Sequence, residues 1–192
     1  MIQRFLLLLL ITSLSITKSL SQNRTSLGVK VGVNFTGFHT GTSTYTGEFG
    51  LNAGLIVDHK ISNFLSIQPE LIFNEKAGNY TIPGNEMVIR ATSKVKYIDI
   101  PIMAKINILE SINFQLGPQV GFLVAEKTEY NSDVVETTPK VLDLALNGGF
   151  GYQIKRNIFL QARYSYGVKE IFENENYKNS VISLSIGYKF QN

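Results

Sequence analysis

The sequence predicts an all-β protein, namely an eight-stranded antiparallel up-and-down transmembrane β-barrel (a meander) that follows a cleaved N-terminal signal peptide. Three observations predict it. Apolar and polar residues alternate with a period of two over eight segments, long and short connections alternate between those segments, and an export signal stands in front of them. The composition agrees with a barrel, because only 17% of the 192 residues are charged, below the roughly 25% of ordinary soluble proteins.

The last segment, residues 181–190, has the clearest alternation. Its apolar or aromatic positions are Ile182, Leu184, Ile186, Tyr188 and Phe190. The residues between them are small or polar, so the segment fits a strand with one apolar and one polar face. About ten residues is the length that a tilted strand needs to cross a bilayer. We expect this strand to pair with the first one, because hydrocarbon does not tolerate an open sheet edge.

Seven earlier segments repeat the pattern and complete the predicted barrel. They span residues 27–36, 48–58, 65–74, 95–106, 112–124, 142–154 and 158–167. Four long, polar connections at 37–47, 75–94, 126–140 and 168–179 alternate with three short ones. This layout is typical of outer-membrane barrels, which have long outer loops and short periplasmic turns. An even number of strands places both termini at the periplasmic end.

The N-terminus has the three parts of a secretory signal. Arg4 precedes an apolar run over residues 5–16, and Ser19, Leu20 and Ser21 form a small-x-small cleavage site. The run is too short to span a bilayer as a helix. We therefore expect residues 1–21 to be a signal peptide and residues 22–192 to form one outer-membrane β-barrel domain.

Alternation alone leaves two all-β architectures open. In a soluble barrel the apolar face points inward around a core or ligand, whereas in a membrane barrel it points outward to lipid and the interior is polar. The polar face favours the membrane barrel, because its charged residues stand among Gly, Asn, Gln and Ser residues that suit a narrow interior better than a water-facing surface. Aromatic residues near the predicted strand ends fit interface girdles. We expect the protein to lie in the cell outer membrane, with its lipid as the first partner.

Six short motifs stand in order along the predicted strands. They are Gly28-Val-Lys-Val-Gly32-Val-Asn34, Ile67-Gln-Pro-Glu70-Leu, Tyr97-Ile-Asp99-Ile-Pro101, Leu116-Gly117-Pro118, Gly148-Gly149-Phe-Gly151-Tyr152, and Arg163-Tyr164 before Gly167. Together they resemble the PorT-like outer-membrane β-barrel proteins of the Bacteroidetes, over the whole mature chain. The resemblance implies an eight-stranded outer-membrane barrel. For most members it implies no defined activity, whereas the namesake is linked to an outer-membrane secretion and gliding machinery.

Six charged residues in the middle of the strands lie on the predicted polar face and form a candidate lumen charge network. They are Lys30, Glu70, Asp99, Lys105, Asp143 and Arg163. A buried charge is tolerated when it is paired and hydrogen-bonded, so the three carboxylates are expected to neutralise the three cations and plug the barrel. The alternative is a polar pathway or small-ligand site with Arg163 as the partner of an anion, for which eight strands leave little room.

Other chemistry finds little support in the sequence. There are no cysteines, which excludes thiol catalysis, disulfides and Cys-ligated metals. His39 is expected in the first outer loop and His59 at the periplasmic end, so no catalytic set is proposed. No basic patch interleaved with aromatic residues points to nucleic acid. We expect no enzymatic activity, no cofactor and no metal site.

The expected role is structural or one of interaction. The long outer loops are the expected contact surface for an envelope protein partner, because long loops often carry function. Two alternatives are an accessory component of an outer-membrane secretion or gliding machinery, which rests on the resemblance, and a narrow pore for small solutes.

Overall fold

The structure of the protein is a computed structural model. It describes residues 24–39, 48–83, 88–130, 133–134, 142–172 and 175–190. The expected signal peptide, residues 1–21, lies outside this part of the chain. Within the described residues every regular element is a strand, and there is no helix long and apolar enough to cross a membrane.

Eight long strands form the wall of the barrel. They are β1 (Thr25–His39), β2 (Glu48–Lys60), β3 (Leu65–Pro83), β4 (Val88–Asn107), β5 (Ile112–Tyr130), β6 (Leu142–Gln153), β7 (Ile158–Phe172) and β8 (Glu175–Phe190). Alternating Val, Ile, Leu and aromatic residues favour extended backbone in each of them. A further strand of two residues, Asp133–Val134, pairs with Glu129 and Tyr130 at the C-terminal end of β5.

The sheet closes on itself, with each long strand antiparallel to both neighbours. β1 pairs with β2 and also with β8, from Leu27 opposite Phe190 to His39 opposite Lys178. β4 pairs with β5, which completes the circuit in meander order. The prediction of a closed eight-stranded barrel is confirmed, and so is the predicted pairing of the last strand with the first.

The two faces of the wall differ in polarity. On β1, Val31 is 55% exposed on the outside, whereas Lys30 and Asn34 on the inside are 4% and 1% exposed. Every strand presents apolar side chains outward, for example Val31, Leu51, Leu71, Ile102, Leu116, Phe150, Leu160 and Leu184. The prediction of a polar interior is confirmed. The soluble alternative with an apolar interior is wrong, because charged and amide side chains occupy most of the lumen.

The outer connections differ from the prediction. Residues 75–94 were expected to form a long loop, but β3 and β4 stay paired there, from Glu75 opposite Lys96 to Pro83 opposite Val88. In the expected loop 168–179, β7 continues to Phe172 and β8 begins at Glu175. The physical reason is that a β-ladder needs only backbone N–H and C=O groups. Apolar alternation ends where a strand leaves lipid, and the strand itself continues.

Three short turns join the strands at the opposite end, over residues 61–64, 108–111 and 154–157. The same backbone hydrogen bond closes each turn, since the N–H of Ile61, Ile108 and Ile154 donates to the carbonyl oxygen four residues ahead at 3.0, 3.0 and 2.9 Å. These connections are short, as predicted. We call this end the short-turn end and the other the outer end; in outer-membrane barrels the short turns face the periplasm.

Candidate functional site in the barrel lumen

Strand alternation brings all six residues of the candidate lumen charge network to the inside of the barrel. Lys30, Glu70, Asp99, Lys105, Asp143 and Arg163 are each at most 6% exposed. They come from five strands, β1, β3, β4, β6 and β7, because Asp99 and Lys105 both lie on β4. The structure does not join them into one network, because they fall into three separate clusters that also include residues outside the predicted set.

The central cluster is built on Glu70, which holds two cations. Lys30 Nζ lies 2.8 Å from Glu70 Oε2, and Arg163 donates to both carboxylate oxygens, with Nη1 at 2.8 Å and Nη2 at 2.7 Å. Gln68 Nε2 donates to Glu70 Oε1 at 2.6 Å. Such a bidentate pair of hydrogen bonds is the strongest contact that Arg makes with a carboxylate. Both terminal nitrogens of Arg163 are therefore engaged with Glu70.

A chain of amide side chains continues from the central cluster across the lumen. Lys30 Nζ donates to Gln161 Oε1 at 2.7 Å, and Gln161 Nε2 donates to Gln115 Oε1 at 2.5 Å. Gln115 Nε2 then donates to Asn113 Oδ1 at 2.7 Å. Gln161 stands in phase with Arg163 on the polar side of β7, but the sequence carries no signal that it joins the charged residues. The chain ties β1, β7 and β5 together through side chains rather than through the wall.

The outer cluster is organised around Lys76, which sequence reasoning placed in a loop. Its Nζ lies 2.7 Å from Asp143 Oδ2 and 3.2 Å from Asp99 Oδ2, and it also stands 4.5 Å from the centre of the Tyr97 ring. Asn74 Nδ2 donates to Asp99 Oδ2 at 2.7 Å. A usable signal was present, because Lys76 stands in phase with Glu70 and Asn74 at the period of two.

Uncharged polar side chains extend the outer cluster towards β8. Asn34 Nδ2 donates to Asn74 Oδ1 at 2.5 Å, and Asn52 Nδ2 donates to Asn34 Oδ1 at 2.7 Å. Ser185 Oγ donates to Asn52 Oδ1 at 3.1 Å. The hydrogen bonds run from Asp99 on β4 round to β8, so they cross the seam between the first and the last strand.

The short-turn cluster pairs Lys105 with a carboxylate that was not in the predicted set. Lys105 Nζ lies 2.7 Å from Asp58 Oδ2, and Lys189 Nζ lies 2.6 Å from the same oxygen. Lys105 was expected to be neutralised by Glu70, Asp99 or Asp143, but the structure gives it Asp58. Asp58 and Lys189 both stand on the polar side of the period-two alternation in their strands. Their pairing depends on how far neighbouring strands are staggered, which alternation does not report.

Four buried side-chain atoms have no hydrogen-bond partner among the described residues. They are Thr36 Oγ1, Asp58 Oδ1, Asp99 Oδ1 and Arg163 Nε. Each belongs to a side chain whose residue is at most 6% exposed. Three of the four belong to members of the ion clusters, so each cluster has spare hydrogen-bonding capacity for a small polar group.

The two histidines of the chain lie near strand ends and not in the three clusters. His59 lies at the short-turn end, where its Nδ1 is 2.7 Å from Thr25 Oγ1. His39 was expected in the first outer loop, but it is the last residue of β1 and stands opposite Lys178 on β8. No group of three His, Cys, Asp or Glu side chains in the described part of the chain has the geometry of a metal site.

Solved structures of other outer-membrane proteins share the fold of this chain. Three solved structures with the same architecture are Ail, the attachment invasion locus protein of Yersinia pestis, Neisserial surface protein A and OprG of Pseudomonas aeruginosa. Ail is 15% identical, with 87% of this chain and 99% of that chain covered and a TM-score of 0.55. The corresponding values are 14%, 85%, 97% and 0.59 for Neisserial surface protein A, and 13%, 90%, 99% and 0.53 for OprG.

At these identities the likeness concerns the fold alone. No curated protein matches the chain. A family model, however, matches residues 18–173, and it describes an outer membrane protein beta-barrel domain. That match covers most of the chain and agrees with the closed barrel, the apolar outer face and the polar lumen. The protein therefore belongs to the family of outer membrane protein beta-barrel domains, and its place is the outer membrane.

Proposed function

We propose that the protein is a non-enzymatic outer-membrane barrel with a structural or interaction role, in which the barrel is a plugged stem and the outer hairpins are the contact surface. The proposal rests on the side chains that fill the lumen. Buried ion pairs and amides cross it at the central and outer clusters, so the described lumen is closed at those two levels. Eight strands enclose an interior that side chains are able to fill.

The outer hairpins supply the contact surface in this proposal. β3 continues from Asn74 to Pro83 beyond Phe73, its last outward apolar residue in the described band, which is roughly 30 Å of strand at about 3.3 Å per residue. Its partner β4 stays in register over this length. A paired hairpin loses less conformational entropy on binding than a free loop does, so it is better suited to recognition.

Hairpin replacement in native membranes tests the proposed role. Residues 77–94 are exchanged for a two-residue turn, and proteins cross-linked to the barrel are identified. A second variant keeps a hairpin of the original length built from alternating Thr and Ser, which separates the loss of the natural side chains from the loss of the hairpin itself. We expect both variants to fold and both to lose the cross-linked partner. An unchanged set of partners and an unchanged cellular phenotype in both variants would contradict the interaction role.

A second candidate is an accessory component of an outer-membrane secretion or gliding machinery. It rests on the resemblance to PorT-like proteins of the Bacteroidetes, carried by motifs such as Tyr97-Ile-Asp99-Ile-Pro101. Residues 1–21 would serve as the signal peptide that delivers the barrel domain, 22–192, to the envelope. Cross-linking that recovers components of a secretion machinery would support this candidate, and their absence from the wild-type sample would count against it.

A narrow pore for small solutes is disfavoured by the same lumen. Planar-bilayer recordings with the purified barrel are expected to stay at the baseline of the lipid. Reproducible unitary conductance in wild-type protein would contradict the plugged lumen.

A further inference from the structure

A cavity of about 900 Å³ opens at the short-turn end of the barrel. We call it the vestibule. Its lining combines the start of β1, the ends of β2 and β4, the last residues of β8 and parts of all three short turns. Five of the lining side chains are cationic, namely Arg24, Lys60, Lys105, Arg156 and Lys189. Only two, Asp58 and Glu110, are carboxylates, so the lining carries three more positive than negative charges.

The charge excess reaches the buried floor of the vestibule and is not confined to its exposed rim. Lys105 and Lys189 share a single carboxylate oxygen of Asp58, at 2.7 and 2.6 Å. The side chains of these lysines are only 6% and 15% exposed. Two cations on one anion leave a positive charge that is largely removed from water, which is costly unless a further anion compensates it.

The other two lumen clusters compensate each other. Among the residues that the structure describes, the central cluster has two cations and one carboxylate, whereas the outer cluster has one cation, Lys76, and two carboxylates. Together they are neutral. The positive charge of the short-turn cluster is therefore not balanced by either of the other two clusters. This cluster lies where the lumen opens to solvent. Low-dielectric walls concentrate its field in the vestibule.

We propose that the vestibule is a binding site for phosphate groups presented from the periplasmic side. Lysine ammonium groups act as strong point-charge partners of phosphate. Ser66, Asn113 and Gln153 line the same cavity and add uncharged hydrogen-bonding groups. The volume fits one small phosphorylated molecule or one lipid headgroup rather than a folded protein. This inference concerns the opposite end of the barrel from the outer hairpins and does not depend on them.

The direct test is titration of inorganic pyrophosphate into the full barrel in phosphatidylcholine nanodiscs, followed by calorimetry at low ionic strength. Wild-type protein is expected to bind one pyrophosphate saturably. Lys189→Gln should weaken the affinity about five- to tenfold, the effect of one partly screened charge near the ligand. Lys155→Gln is the matched control, because Lys155 is an exposed short-turn lysine outside the lining, and it should change the affinity by less than about twofold.

A variant with the opposite sign separates binding from damage to the fold. Glu110 is an exposed acidic residue of the lining, so Glu110→Gln should tighten pyrophosphate binding by about twofold. Absence of saturable binding to wild-type protein, or an equal loss in Lys155→Gln and Lys189→Gln, would overturn the proposal. Weaker binding in Glu110→Gln would overturn it as well.

A second lipid composition identifies the source of the phosphate. If phosphatidylglycerol in the nanodisc competes with pyrophosphate in wild-type protein, the natural ligand is a lipid headgroup. If it does not compete, the ligand is a soluble phosphorylated molecule. Both results keep the phosphate site, and they differ only in what fills it.

Discussion

Glu70 is the residue on which the central cluster depends. Its two carboxylate oxygens accept four hydrogen bonds, from Lys30, from Gln68 and twice from Arg163. The side chain of Glu70 is fully buried, and those of Lys30 and Arg163 are 4% and 5% exposed. Burying a salt bridge gains little over an apolar replacement, but removing one partner leaves the others charged and unpaired.

Replacing Glu70 should therefore be among the most damaging substitutions in the lumen. Glu70→Gln keeps the size of the side chain and removes the charge that neutralises two cations, so we expect a loss of about 3–5 kcal/mol in the free energy of unfolding. Urea titration of the barrel in lipid vesicles measures it. The matched control is Glu110→Gln on the exposed short turn, with an expected change below about 0.5 kcal/mol. Similar losses in the two variants would contradict the central cluster.

Lys76 keeps two carboxylates together in the outer cluster. In Lys76→Met, Asp99 and Asp143 face each other without the cation that now lies within 3.2 Å of both. Protonation of one carboxyl relieves this repulsion in the folded variant, which then binds more protons than the unfolded chain does. Relative to wild-type protein, the variant should therefore regain stability as the pH falls. Urea unfolding at several pH values checks whether the difference from wild-type protein narrows on acidification, and a constant or growing difference would refute it.

At the scale of single strands, the critical element is the seam between β1 and β8. Gly32 on β1 stands opposite Ser185 on β8. A Cβ atom at position 32 would overlap the carbonyl oxygen of Leu184 and the backbone of Ser185. The absence of a side chain at Gly32 therefore allows the two strands that close the barrel to approach each other.

Gly32→Ala should impair closure of the barrel, because the added methyl group displaces backbone at the seam. Gly148→Ala is the matched control, since a Cβ there would meet only Leu116 Cδ1 at 4.0 Å, an ordinary contact. The folded fraction after refolding into detergent is read as the heat-modifiable band on an electrophoresis gel. We expect Gly32→Ala to reduce this band and Gly148→Ala to retain it. Equal bands would show that the seam has room for the methyl group.

The strands also show what alternation does and does not predict. It correctly assigned inward and outward faces, since Lys105 and Ile106 point to opposite sides of β4 as expected. It ended β3 too early, at residue 74 instead of Pro83, and began β4 too late, at residue 95 instead of Val88. The reason is that apolar alternation reports the thickness of the lipid layer and not the length of the ladder.

Pairing inside the lumen was the part that the sequence did not predict. Lys105 and Asp58 meet across two strand boundaries and 47 positions of sequence. Their contact depends on the stagger between strands, and the alternation of apolar and polar residues carries no information about that stagger. Lys76 was missed for a related reason, because it lies just past the last apolar residue of its strand and so fell into the expected loop.

At the scale of the whole molecule, the outer surface carries apolar side chains on all eight strands. Phe150, Leu184 and Val31 are 58%, 57% and 55% exposed. A continuous apolar band of this kind is not stable in water and marks a surface that meets lipid. Polar residues that would normally face solvent are instead paired inside. The barrel is therefore inverted relative to a soluble protein, with its ion pairs in the place of an apolar core.

This inversion is the central claim, and spin-label accessibility tests it most directly. The chain has no cysteine, so single-cysteine variants at Val31, Val33 and Leu184 each carry one nitroxide label, with Asn63 and Lys155 as water-exposed references. In lipid vesicles, labels at the three strand positions should collide with dissolved oxygen and be shielded from a water-soluble nickel complex. The two reference labels should show the reverse. Strand labels as accessible to the nickel complex as Lys155 would contradict a barrel whose apolar face meets lipid.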